Sequence, residues 1–164
     1  MERDLYAAEL FLKGYNCAQA VAVAFCDVTG LDEAFAARMA SSFGGGMGRM
    51  REVCGAVSGM LTVLGLLYGC EDPDDDGAKK DHYALVQQLA GKFREQAGSI
   101  VCREILKNPP SDPNPTPRTA EFYAKRPCTR MVMLATQILE EYICEHPVKL
   151  HLFPELFLDI SGNE

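Results

Sequence analysis

Four of the seven cysteines in this chain follow a sequence signal for the start of a helix. Asn16, Ser99 and Pro127 are residue types that begin helices, and a cysteine follows each within three positions. The fourth cysteine comes after a glycine-rich segment, at the entry to an apolar helix. A helix N-terminus presents unpaired N–H groups and about half a positive charge, which stabilise a thiolate. The sequence therefore predicts lowered pKa values and raised reactivity for four thiols: Cys17, Cys54, Cys102 and Cys128.

Helical spacing separates these four cysteines from the others. Because successive residues are about 100° apart on a helix, Cys17, Cys102 and Cys128 fall on the apolar sides of their predicted helices. The other cysteines fall near helix ends or opposite the apolar stripes: Cys26, Cys70 and Cys144. We therefore expect the first four to point inward and to converge in one electropositive pocket.

Four convergent cysteines are compatible with several kinds of chemistry. Two thiols could exchange with a disulfide, one attacking and one resolving. Alternatively, the same four residues could be metal ligands, holding an iron–sulfur cluster or, as a third case, structural zinc. There is no C-x-x-C pair and the gaps are long, so tertiary structure must assemble the site, which weakens zinc most. Inert packing is the fourth alternative, because free cysteine is often buried.

The segment 44–48 holds four glycines just before the apolar run. Backbone N–H groups in such a segment can form a concave site for an anion. Arg49 and Arg51 lie beside it and could hold a thiolate or an anionic ligand through charge-assisted hydrogen bonds. The glycines that we predict to contact a cofactor are Gly44, Gly45, Gly46 and Gly55.

The uncharged run 53–69 predicts a central helix, buried on most sides. Glycine costs a helix about 1 kcal/mol relative to alanine, so the glycines in this run should serve close packing. Residues four apart share a helix face, which predicts close contacts at two pairs: Gly55 with Gly59, and Gly65 with Gly69. The run is short for a membrane span and ends in an acidic segment, so we expect a core helix.

The glycines and cysteines together resemble a known family. The segment Cys54-Gly55-Ala56-Val57-Ser58-Gly59, the preceding glycines and the outlying cysteines at 17, 102 and 128 are similar to the family named for its C_GCAxxG_C_C pattern. The resemblance covers roughly residues 15–142. It implies a small bacterial or archaeal protein with four characteristic cysteines and a redox role, and it names no reaction.

Caps, breakers and apolar spacing predict the other elements. The helices are expected at 5–13, at 17 to about 28, after Asp32, at 77 to about 97, around Cys102 after a Ser99 cap, at 119–125, and at 128 to about 144. A proline-rich stretch at about 107–118 is expected to be a surface connection. No alternating strand pattern occurs. We predict an all-α fold, an irregular multi-helix bundle around the glycine-rich helix, in a single domain spanning 1–164.

Composition limits the partners. The net charge of −7 argues against nucleic-acid binding, which needs basic patches. The N-terminal sequence lacks the regions of a signal peptide, which favours a reducing cytoplasm. The apolar tail 148–164 is predicted to dock on the body or on a second copy, giving a homo-oligomer. His82 could donate a proton to a thiolate or add a ligand, although a partly buried histidine with satisfied hydrogen bonds is the simpler expectation.

The function that these features favour is that of a cytoplasmic redox protein with four convergent cysteines, acting as thiol and disulfide pairs or as cluster ligands. It would serve as an oxidoreductase or an electron carrier with an unknown redox partner. The competing hypothesis is a non-enzymatic interaction or scaffold protein, in which the cysteines are structural or bind zinc.

Overall fold

The computed structural model describes residues 2–148, which fold into helices and connecting loops. No strand occurs in this part of the chain, and the predicted all-α fold is confirmed. In chain order the helices are α1 (Arg3–Leu12), α2 (Cys17–Ala24), α3 (Cys26–Thr29), α4 (Glu33–Ala40), α5 (Gly55–Tyr68), α6 (Asp76–Ala97), α7 (Cys102–Ile105), α8 (Ala120–Lys125) and α9 (Cys128–Glu145). A 3₁₀ turn at Ser41–Phe43 follows α4.

The centre of the bundle is shared by α2 and α5. Helix α2 packs against α1, α4, α5 and α9, and α5 packs against α2, α6 and α9. Nearly every residue of α2 is buried, and α5 contributes Val57, Met60 and Leu64, all without solvent exposure. The long α6 is peripheral, since Leu89 and Phe93 are its buried residues. Burial of each large apolar side chain contributes about 1.5–3 kcal/mol, so the two central helices hold the bundle together.

The start of α2 is determined by a capping box, as Asn16 predicts. The Asn16 side chain accepts hydrogen bonds from the N–H groups of Ala18 and Gln19, both at 3.0 Å. The Gln19 side chain in turn accepts from the N–H of Asn16 at 2.9 Å. Such a cap contributes about 1 kcal/mol and begins the helix at Cys17.

Close packing of α5 involves only one of the two predicted glycine pairs. A Cβ atom at residue 59 would lie 2.6 Å from the carbonyl oxygen of Ala18, and one at residue 55 would lie 2.8 Å from Sγ of Cys17. At Gly65 nothing in the described part of the chain lies within 4 Å of such an atom. The prediction for Gly55 and Gly59 is confirmed, whereas that for Gly65 is wrong within the described residues, because open space lies beside it. Gly69 follows the end of α5, and a Cβ atom there would meet the backbone of Gly65.

Helix α2 is shorter than predicted. It ends at Ala24 instead of near residue 28, and α3 forms a separate turn after Phe25. The guanidinium of Arg3, from α1, donates a 2.6 Å hydrogen bond to the carbonyl of Ala24 and lies over the Phe25 ring. This tertiary contact satisfies a carbonyl that a continuing helix would have used, so the chain turns. Cys26 consequently begins α3.

The short helix α7 begins later than a Ser99 cap would predict. Val101 is extended and forms an isolated antiparallel bridge with Val53, so the helix starts only at Cys102. The Ser99 hydroxyl oxygen instead accepts from the N–H of Val101 at 2.9 Å. A long-range backbone pairing, which local patterns do not reveal, overrides the local cap here.

The predicted docking tail, apart from Val148, lies outside the described residues, as does the homo-oligomer predicted through it. Among residues 2–148, no helix has the length and apolar character needed to cross a membrane.

The glycine contacts predict opposite outcomes for two substitutions in one helix. Gly59→Ala should lower the free energy of unfolding by about 1–3 kcal/mol, because the added methyl group collides with the α2 backbone. Gly65→Ala has open space and should raise it by up to about 1 kcal/mol. Urea denaturation of both variants measures the difference. Equal effects of the two substitutions would contradict the assigned packing.

Candidate functional site

The four cysteines that the sequence singles out line one cavity of about 330 Å³. Cys17, Cys102 and Cys128 are the first residues of α2, α7 and α9, and Cys54 occupies the N-cap position of α5. The structure therefore brings together four helix starts, with one sulfur at each. All seven cysteines are free thiols, and the other three do not line this cavity.

Backbone pairing and close packing place these cysteines next to one another. The N–H of Cys54 donates to the carbonyl of Ile100 at 2.8 Å, and the N–H of Cys102 donates to the carbonyl of Glu52 at 2.6 Å. The bridge between the two segments thus aligns Cys54 with Cys102. Cys17 reaches the same place because Gly55 leaves room for its sulfur.

Burial raises the pKa values of three of these thiols, contrary to the prediction from their helix positions. Cys54 and Cys102 are each 6% exposed, and loss of water is the main cause that raises the pKa of both. Burial also raises the pKa of Cys128 to about 12. A negative charge on Cys17 would raise all three values further. For these three thiols the predicted lowering is wrong, because desolvation of a thiolate outweighs the favourable helix N-terminus.

The helix-start effect is nevertheless present as an opposing influence. The N–H groups of Ala56 and Val57, in the first turn of α5, act to lower the pKa of Cys54. The positive charge of Arg51 acts in the same direction on Cys102. Cys54, Cys102 and Cys128 are therefore neutral thiols at neutral pH, with a few groups placed to stabilise a thiolate when one forms.

The glycine-rich segment closes one side of the cavity. Gly44, Gly45 and Gly55 line it, whereas Gly46 packs behind it, where a Cβ atom would lie 2.7 Å from Cβ of Cys102. The N–H of Met47 donates to the carbonyl of Phe43, and the N–H of Arg49 donates to the carbonyl of Gly44. These two amides are therefore committed to holding the loop, and the contacts of the predicted cofactor with the glycines stay a prediction.

The same loop directs two arginines into the cavity at a conformational cost. Met47, Arg49 and Arg51 all have positive φ angles, between 60° and 69°, which cost about 1–3 kcal/mol each in residues other than glycine. Both arginines line the cavity. Strain of this kind persists where the surrounding contacts compensate for it, and it is common at functional sites.

The proline-rich segment covers the arginines and is more than a surface connection. Arg49 donates to the carbonyl of Asp112 at 2.7 Å and to the Thr116 hydroxyl at 2.9 Å. Arg51 donates from Nε to the carbonyl of Pro110 at 2.9 Å. Pro113 and Pro115 line the cavity, so this segment forms one of its walls.

Sequence reasoning missed the cationic and aromatic residues on the remaining wall. Arg118 lies over the rings of Phe11 and Phe122, with its guanidinium carbon 4.7 and 4.9 Å from their centroids. The guanidinium carbon of Arg126 lies 4.7 Å from the centroid of the same Phe122 ring. Both arginines line the cavity and act to lower the pKa of Cys128. The available signal was the position of Arg126, two residues before Cys128.

His82 lies away from this site. It is partly buried, as expected, and it does not line the cavity. The expectation that its ring would be satisfied is wrong, because Nδ1 is buried without a hydrogen-bond partner among residues 2–148. It is therefore not placed to donate a proton to these thiols or to add a ligand.

The metal-binding alternatives do not fit the side chains as they are placed. Among residues 2–148, no group of three or more His, Cys, Asp or Glu side chains is arranged to hold a metal ion. We derive no step through a cluster or a zinc ion.

The raised pKa values predict an unusual pH dependence of alkylation. Because the pKa of Cys128 is about 12, its thiolate fraction should rise about tenfold per pH unit between pH 8 and 10. In denatured protein the thiols should level off above a pKa near 8.5. Iodoacetamide labelling followed by mass spectrometry measures each rate, and circular dichroism checks folding. Levelling of the Cys128 rate below pH 9 in folded protein would contradict the assignment.

Comparison with known proteins gives one match. A family model described as "Putative redox-active protein (C_GCAxxG_C_C)" matches residues 15–142. No match to the chain was found among curated proteins or among solved structures. The matched range contains all four cysteines of the cavity and most of the chain. The chain therefore belongs to the C_GCAxxG_C_C family.

Proposed function

We propose that this protein carries out thiol–disulfide exchange with the four cysteines that line the cavity. One observation supports the proposal most: four cysteines from distant segments meet at one cavity, while the other three lie elsewhere. Packing alone gives no reason for this division, because a core can accept cysteine at many positions. A shared chemical role would explain why these four cysteines meet at one cavity.

Exchange balances without a metal. Two protein thiols give up two electrons and two protons and form one disulfide. A partner disulfide accepts them and becomes two thiols. The partner disulfide belongs to a redox protein or to a small molecule. The raised pKa values of Cys54, Cys102 and Cys128 suit the proposal, because several thiolates at one cavity would repel one another and only one needs to ionise at a time.

Cys17 is the best candidate for the thiol common to the possible pairs. Among the cysteines, its charge has the largest influence on the pKa of each of the other three. Its sulfur also packs directly against Gly55, next to Cys54 in the chain. We propose that the first disulfide contains Cys17.

Oxidation of the reduced protein with diamide tests this proposal. We expect one intramolecular disulfide among the four cavity cysteines, located by mass spectrometry of unreduced peptides. Cys17→Ser should slow its formation about tenfold or more, since it removes the thiol that we propose for the first disulfide. Cys144→Ser, which removes an exposed cysteine, is the matched control and should leave the rate unchanged. Circular dichroism checks that both variants fold.

The same experiment separates exchange from the scaffold hypothesis. If the four cysteines only pack the core, the protein should resist oxidation until it unfolds, and Cys54→Ser should change stability alone. That result would overturn the proposed function.

Anaerobic reconstitution with iron and sulfide tests the cluster alternative. The side-chain arrangement leads us to expect no stable visible absorbance and no bound iron after desalting. Zinc analysis of the purified protein extends the test. Stoichiometric metal that is lost in a Cys54→Ser variant would show that the cysteines are ligands.

A further inference from the structure

The cavity is strongly cationic in a chain that is anionic. Arg49, Arg51, Arg118 and Arg126 line it, and among the described residues no Asp or Glu does. Arg49 is paired with Asp112, at 3.5 Å between Nη2 and Oδ2, which leaves three arginines without a carboxylate partner there. The whole chain carries a net charge of −7. The positive charge of the cavity therefore comes from these arginines and is opposite in sign to the net charge of the chain.

Arg51 is the residue that points to a ligand. Its side chain is 2% exposed, and its Nη2 atom is buried without a hydrogen-bond partner among residues 2–148. A buried guanidinium nitrogen without a partner is unfavourable, because it loses water and gains nothing in return. Arg51 also has a strained backbone, with φ at 64°. Two unfavourable features at one residue are explained if a bound anion completes its hydrogen bonds.

The side chains on the remaining walls of the cavity indicate which other chemical groups the ligand carries. Phe11, Phe122 and Met131 give the cavity an apolar side. Its volume of about 330 Å³ falls at the small end of the range of sites for small molecules. An inorganic anion would satisfy Arg51 but leave the apolar side uncovered. A short organic chain that carries an anionic group would satisfy both.

We propose that the cavity takes a small organic disulfide bearing a carboxylate or a similar anionic oxygen group, with that group bound to Arg51. The inference rests on the thiol exchange proposed above and names its substrate class. One protein thiolate attacks a substrate sulfur, forming a mixed disulfide and releasing one thiol, which takes up the proton. A second protein thiol then attacks, leaving a protein disulfide and a second released thiol.

Three disulfides of similar length and different charge test the inference. Reduced protein is mixed with dithiodipropionate, which is anionic, with bis(hydroxyethyl) disulfide, which is neutral, or with cystamine, which is cationic. We expect the anionic compound to react at least about tenfold faster than cystamine, although a net charge of −7 would by itself favour the cation. Rates are corrected for the reaction of each compound with denatured protein.

Arg51→Met should reduce this preference about tenfold while keeping a side chain of similar length. Arg103→Met is the matched control, because Arg103 pairs with Glu52 and does not line the cavity. It should leave the preference unchanged. Retained preference in Arg51→Met would overturn the role of Arg51.

A competition with unchanged protein keeps the test independent of folding of the variants. Suberate replaces both sulfurs of dithiodipropionate by methylene groups, so it should bind without reacting and slow the exchange. Octanediol, its neutral counterpart, should not. Exchange without preference for charge and without inhibition by suberate would overturn this inference alone. No exchange with any of the three disulfides would overturn the proposed function itself.

Discussion

The approach of α5 to the start of α2 is the contact on which the site depends. It is possible because residues 55 and 59 have no side chains, so the sulfur of Cys17 and the carbonyl of Ala18 lie against the α5 backbone. The two helices that contribute most to the core are therefore the same two that carry Cys17 and Cys54. Stability of the bundle and proximity of these thiols have one common origin.

The chemistry of the cavity is a balance between two electrostatic effects. Helix starts and arginines favour thiolates, whereas removal of water disfavours them. Removal of water is the larger effect at Cys54, Cys102 and Cys128, so their pKa values rise. These three thiols therefore stay protonated at neutral pH. Such thiols avoid indiscriminate reaction and still have stabilising groups close by.

The loop after α4 and the proline-rich segment give the cavity its charge. Arg49 and Arg51 belong to a strained loop. Their side chains donate hydrogen bonds to carbonyls of the proline-rich segment, more than 50 residues further along the chain. Pairing of the arginines with that segment fixes two walls at once. The segment is consequently part of the site, even though most of it is exposed.

Much of this architecture could be predicted from local patterns. Asn16 and Asp32 begin helices because their side chains bond to nearby N–H groups, and Gly98 ends α6 with a left-handed residue. The four helix-start cysteines were identified in the same way. By contrast, the end of α2 at Ala24 and the start of α7 at Cys102 depend on Arg3 and on the bridge to Val53.

The sequence by itself determined the helices, the all-α class and the four cysteines at helix starts, since capping and apolar spacing act over a few residues. Only the tertiary structure decided the direction of the thiol pKa shifts, the wall formed by the proline-rich segment and the buried, unpaired guanidinium of Arg51. These properties depend on which groups exclude water and which charges meet, and distant parts of the chain supply both.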